Sequence, residues 1–288
     1  MAGATTGDLN LRAENVSRIV TGFALQSYRM KQLCLIQSSS SWKETYWIET
    51  AADLSASGTG NTVRGTPRLA EFNAGEVTWN EASKRHEKYT MEGVISWEDE
   101  TTNEIDVISR TLLRIARAIT KAVDDEIYSQ ISTLAGNTVT IAAGDEWDSA
   151  TIANRDPIQD ILNAMKLIEE DNYDPHKSGF LLLNPKDFAN LMGNANVRNA
   201  GQFFTSDVTK NGMVGRILGL TIIKSNSVTA DEAMVVIAKE ACTWKEAKGL
   251  TTEVINDPGI KKTIRSWEVG VIQVTNPDAM CKIDNTAA

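Results

Sequence analysis

The chain of 288 residues carries 29 Lys plus Arg against 38 Asp plus Glu, a formal net charge of −9, with 42% hydrophobic and 23% charged residues. That length fits about two domains, and the balance is that of a globular chain with ample core material. It argues against a membrane helix, which needs ~18 uninterrupted apolar residues, against a secretory leader, and against a protein that grips phosphates over a broad face. Three cysteines, Cys34, Cys242 and Cys281, are an odd number at no metal-like spacing and suggest reduced thiols in a cytoplasm. Only two histidines are present. His86 lies in a charged run, SKRHEKY, that reads as solvated surface, and His176 in a turn, DNYDPHKSG. Neither composition nor spacing offers a catalytic residue, a metal set or a cofactor site.

In chain order, residues 1–14 are small, polar and without period, and read as an arm. From Val16 to about Leu35, Val16, Ile19, Val20, Phe23, Ala24 and Leu25 recur at helical spacing, with Asn15 or Ser17 as cap and the serines Ser38 to Ser41 as terminator. Residues 43–50 (KETYWIET) and 88–97 (KYTMEGVISW) carry β-branched and aromatic strand signals. Between them runs a polar, glycine-containing stretch, which predicts a long hairpin that finds its burial against another subunit. Phe72 and Trp79 are its apolar anchor points.

Thr101 to Glu104 fits a capping box. After it Ile105, Ile108, Leu112, Ile115, Ile119, Val123, Ile127 and Ile131 step by three and four, and no Gly or Pro intervenes before Gly136. This predicts a helix over 102–134, ~45 Å long. Its other face, Arg110, Arg114, Arg117, Lys121, Asp124, Asp125 and Glu126, reads as solvated. Adjacent helical positions point about 100° apart, so the three acidic residues do not converge on a metal.

Shorter elements follow: strands at 138–144, 180–183, 218–224 and 234–238, a helix at 157–171, and a second helix opened by Asn184 as cap and Pro185 at its first position. The remainder, 250–255, 260–275 and 279–283, alternates as antiparallel sheet. The whole is α+β. No dinucleotide fingerprint, P-loop, nucleophile elbow or C-x-x-C is present. Trp47, Trp97, Trp244 and Trp267 lie in or beside predicted strands, where packing is their expected role.

This order of elements, with VISW (94–97) leading into the helix, FLLLNPKDFANL (180–191), GRILGLTII (215–223) and VTNPDAMCKI (274–283), resembles the major capsid proteins of tailed bacteriophages and related archaeal viruses, whose fold was first described in a Hong Kong coliphage. The resemblance implies a phage major capsid fold. Residues 1–42 would be its N-terminal arm and 43–100 its extended β-hairpin loop. Residues 101–139 with 244–276 would be a peripheral domain with spine helix 102–134, and 140–243 with 277–288 an axial domain. It further implies a shell of hexamers and pentamers in a virion, assembled in the host cytoplasm and enclosing double-stranded DNA without sequence-specific binding. Scaffold, portal and decoration proteins are candidate partners, and no catalytic residue, cofactor or metal is implied. The contact candidates are Phe23, Phe72, Trp79, Lys84 and Lys88, the two lysines also as donors for the inter-subunit Lys–Asn links that some relatives form. The short N-terminal region leads to the expectation that a scaffolding segment is absent or already removed. Two other readings stay open: an encapsulin-type compartment on the same fold, and a cytoplasmic α+β enzyme using carboxylates such as Asp124 or Glu126.

Overall fold

A computed structural model describes residues 18–21, 28–49, 68–69, 71, 79–102, 107–195, 197 and 215–287. Among these the strands are β1 (Leu35–Ser38), β2 (Lys43–Glu49), β3 (Trp79–Arg85), β4 (Glu87–Ser96), β5 (Asn137–Thr140), β6 (Gly179–Leu183), β7 (Arg216–Ile217), β8 (Leu220–Lys224), β9 (Glu232–Ile237), β10 (Cys242–Asp257), β11 (Lys261–Val274) and β12 (Met280–Asp284). The α-helices are α1 (Trp97–Thr102), α2 (Val107–Thr133), α3 (Pro157–Glu170), α4 (Pro175–Ser178) and α5 (Pro185–Gly193). No helix among the described residues is long and apolar enough to cross a membrane. Two compact units result. The first holds the described residues within 1–44, 84–130 and 243–273, the second those within 45–83, 131–242 and 274–288.

In the first unit a four-stranded sheet runs in the order β1-β10-β11-β4. The strands expected at 250–255 and 260–275 are arms of one long hairpin that starts at Cys242 and turns between Asp257 and Ile260. β4 pairs antiparallel with β11 from Ser96↔Lys261 to Glu87↔Gly270. Along α2 the expected stripe is buried: Leu112, Ile115, Ile119, Val123 and Ile127 are at most 2% exposed. Each such side chain contributes about 1.5–3 kcal/mol on burial. Helix and sheet meet at Gly93, where a Cβ would lie 2.7 Å from Thr111 Cγ2 and 2.8 Å from Ile115 Cδ1.

Helix formation begins earlier than the capping box indicated. Trp97–Thr102 forms a separate short helix, α1, capped by Ser96, whose Oγ accepts the Asp99 amide at 3.1 Å. Ile105 and Glu104 lie outside the described residues. The helix expected from Val16 to Leu35 is also revised. Within it residues 18–21 are helical as expected, Met30–Gln32 is a 3-10 turn, and at its last residue, Leu35, begins β1, paired in parallel with Thr243–Glu246. A strand partner so distant in sequence overrides local helical spacing. Phe23 lies outside the described residues.

β2 does not pair with residues 88–97 as the hairpin reading expected. It pairs with β3 in a two-stranded ribbon, while β4 belongs to the first unit's sheet. β3 reads WNEASKR and is exposed along most of its length. A strand with no buried face has no period-two hydrophobic signal to read. Phe72 lies outside the described residues.

The second unit is built on a six-stranded mixed sheet, β5-β12-β9-β6-β8-β7. Its middle strands are uninterrupted apolar runs covered on both faces, with Leu181 to Leu183 and Ala233 to Val236 all 0% exposed. α3 buries Ile161, Ala164, Met165 and Ile168, capped by Asp156 accepting from the Gln159 amide. α5 starts as expected: Asn184 Oδ1 accepts the Lys186 amide at 3.0 Å with Pro185 at the first helical position. The tail is stitched to this unit. The Trp147 amide donates to Thr286 O at 2.9 Å, and the Ala287 amide to Asp231 Oδ1 at 2.9 Å.

Candidate interaction surfaces

Tyr28 to Ser38 crosses the first unit on a buried polar network. The Asp124 carboxylate accepts the Arg29 and Met30 amides at 2.9 and 3.1 Å. Lys31 Nζ and the Tyr28 hydroxyl both donate to Glu268, which is 0% exposed, and Lys31 lies 3.9 Å from Glu246. The Lys31 ammonium also stands 4.1 Å from the Tyr28 ring centroid and 5.2 Å from that of Trp244. Burial first, then Glu268, holds the Tyr28 phenol well above its ordinary value.

Asp124 was read as part of a solvated face, yet it is 3% exposed. Its role is to cap a turn that joins it from another part of the chain, which helical periodicity does not report. Burial pushes its carboxyl up to about 6, against the two amides and Lys31. A raised acid favours the folded state below its unfolded value near 3.8 and loses that contribution as pH rises through about 6. Unfolding free energy of the unassembled subunit should therefore rise by up to about 3 kcal/mol from this group as pH falls from 7 to 4. Asp124→Asn should flatten that part of the denaturation-versus-pH curve, and an unchanged slope would refute the assignment.

Of the contact candidates, Trp79 stands on the ribbon 49% exposed, and Trp47 on the neighbouring strand is 55% exposed. Lys84 is half-buried, and burial lowers its ammonium below the usual value against the pull of Glu126 and Glu87. Lys88 is exposed, its ammonium 5.7 Å from the Trp267 ring centroid. Trp244 packs as expected, fully buried, whereas Trp47 and Trp97 do not, being half exposed. Trp97 lies at the hairpin end, its amide donating to Ile260 O at 3.1 Å, and Ile260 is 67% exposed. Aromatic strand propensity fits either a core or an interface, so sequence alone does not separate them. His86, also read as solvated, is only 7% exposed. His176, read as part of a turn, lies in the short helix α4, which Asp174 caps by accepting the His176 amide, and stands 3.4 Å from Glu169.

An open cleft in the second unit, about 420 Å³, is lined by Leu162, Met165, Lys166, Glu169, His176, Leu218 and Gly219. Asp124 and Glu126, the carboxylates of the enzyme reading, are engaged by the chain itself. Asp124 holds its two amides and Glu126 accepts Gln130 Nε2 at 2.9 Å. Among the described residues no group of three or more His, Cys, Asp or Glu is placed to hold a metal.

Residues 83–283 match a family model described as phage capsid protein. Among curated proteins none matches the chain. In fold the chain is similar to a virus-like particle from Pyrococcus furiosus (TM-score 0.64, 11% identity, covering 94% of this chain and 98% of that one). It is likewise similar to the capsid of cyanophage P-SCSP1u (TM-score 0.64, 17% identity, 88% and 86%). A third likeness is to a Mycobacterium phage Che8 structure (TM-score 0.62, 16% identity, 86% and 86%). At these identities the likenesses establish the fold, an α+β arrangement shared with phage capsids.

Proposed function

Because the chain belongs to the phage capsid protein family, we propose that it is the major capsid protein of a tailed virus, whose copies close into an icosahedral shell around double-stranded DNA. The observation that carries this reading is the family match over residues 83–283. The first unit takes the peripheral position in a capsomer and the second unit the axial one, with the ribbon β2–β3 as the loop that reaches a neighbouring copy. Trp47 and Trp79 on that ribbon, with Lys84 and Lys88 at and beyond its end, are the contact residues. Half-exposed tryptophans on a largely exposed strand pair are stable choices when a neighbour covers them. Repeated heterologous contacts of this kind close shells around symmetry axes. The net charge of −9 suits a wall that encloses duplex DNA without adhering to it. Scaffold and portal proteins are partners of assembly in the host cytoplasm.

Negative-stain microscopy of the protein expressed alone and with a candidate scaffold tests this reading. Closed particles are expected, and a monomer under every condition would overturn it. Trp47→Ser combined with Trp79→Ser should leave the circular dichroism of the subunit unchanged and lower particle yield at least about tenfold. The likeness to a virus-like particle, equal in TM-score to that of the cyanophage capsid, favours one second reading, a compartment enclosing protein cargo. Nuclease-protected DNA inside purified particles, or protein cargo in its place, decides between them.

A further inference from the structure

His86 sits where β3 ends and β4 begins, and its amide donates to Trp42 O at 3.2 Å, tying the start of β2 to this junction. Its imidazole is fully enclosed, with 0% of the side chain exposed, and the Trp42 ring stacks over it at 6.4 Å between centroids and 19° between planes. Neither ring nitrogen has a hydrogen-bond partner. Glu44 Oε1 lies 3.5 Å from Nε2, on the opposite strand.

A neutral imidazole carries one N–H donor and one acceptor nitrogen, and burying both without partners is costly. The neutral imidazole can donate from Nε2 toward Glu44 only as an ordinary hydrogen bond, and uptake of a proton makes that bond charge-assisted. Ser39, whose hydroxyl donates to the same Glu44 oxygen, is the main cause holding the Glu44 carboxyl below its usual range, with His86 adding to it. Glu44 is thus a ready anion. The other charges around the pair are Lys245 of β10, which bears on Glu44, and Arg85 and Glu87, which flank His86 and are exposed. Lys84 feels the charges of Glu126 of α2 and of Glu87.

We propose that His86 and Glu44 form a proton-operated clamp at the root of the ribbon, closed when His86 is an imidazolium and loosened when it is neutral. Closing binds the start of β2 to the β3–β4 junction through a side-chain bond in addition to the β2–β3 ladder and the backbone bond from His86 to Trp42. The clamp lies within one chain and does not depend on shell formation.

Two readouts on the purified full-length protein test it. Exchange of the imidazole C2 hydrogen, followed by mass spectrometry, reports protonation of His86 separately from the exposed His176. Amide exchange in peptides covering 43–49 and 79–87 reports the ribbon root. Across the pH range in which His86 takes up its proton, protection of these amides, corrected for intrinsic exchange, should increase about tenfold on acidification. Glu44→Gln should abolish that increase. His86→Gln should leave protection flat. The proposal is overturned by a wild-type root that does not respond, or by an equal response in either variant. Should His86→Gln not fold, an undiminished acid-induced gain of protection in Glu44→Gln overturns it by itself.

Discussion

Glu268→Gln is expected to cost about 3–5 kcal/mol of subunit stability, the effect of breaking a buried pair from one side. Glu268 is 0% exposed and receives both Lys31 Nζ and the Tyr28 hydroxyl. The variant would leave a 10%-exposed ammonium with Glu246, 3.9 Å away, and Asp124 as the weaker counter-charges. The loss should also free Tyr28 to Ser38, since Lys31 and Tyr28 sit immediately before β1, so trypsin cleavage after Arg29 or Lys31 should accelerate. A triple variant, Tyr28→Phe, Lys31→Met and Glu268→Leu, removes the network together with its desolvation cost. It should come within about 1–2 kcal/mol of the parent, or exceed it. Denaturant unfolding of the four proteins, parent, single and triple variants plus Lys31→Met, checks this. A single variant as stable as the parent would show that the network holds nothing.

Gly270→Ala should be nearly as damaging, by about 2–3 kcal/mol. A Cβ there would stand 2.3 Å from Trp244 Cζ2, 2.6 Å from Cε2 and 3.0 Å from Nε1. The obstacle is a rigid indole, itself 0% exposed, under the Lys31 ammonium. No flexible tip can yield, so either the indole or β11 must shift. Trp244→Phe, whose ring stops short of the Cζ2 position, should relieve the clash at the expense of its own cavity. The two substitutions should therefore be strongly non-additive, the double variant being about as stable as Trp244→Phe alone. Additive losses in thermal or denaturant unfolding would mean that Gly270 is needed for some reason other than the indole.

The parts of this protein legible in its sequence are those whose signal is local. The stripe from Leu112 to Ile131 was read at helical steps because each of those residues meets the same core face of one helix. Asn184 and Pro185 announce a helix start through their own geometry, and the uninterrupted apolar run Phe180 to Leu183 announces a strand buried over Leu181 to Leu183. The pairing of β2 with β3 was not legible, because WNEASKR has no buried face to impose alternation. β1, beginning where the expected helix was to end, was not read as a strand because its partner, β10, lies far along the chain. Of the contact candidates, Phe23 and Phe72 lie outside the described residues, and Trp79 proved to stand half exposed on the ribbon.

By itself the sequence determined the α+β class, the long helix with its buried stripe, and the resemblance that the family match bears out, since periodicity, capping and order of elements are properties of the chain read in one dimension. Only the tertiary structure decided which polar groups are enclosed. Asp124 and His86 stand in runs of charge that read as solvated, and both are buried because distant segments, the turn at Met30 and the strand beginning at Lys43, come to cover them. It also decided which aromatic residues are left uncovered, Trp47 and Trp97 against Trp244. Burial is a relation between parts of the chain far apart in sequence, and hydrophobic pattern constrains only one side of that relation.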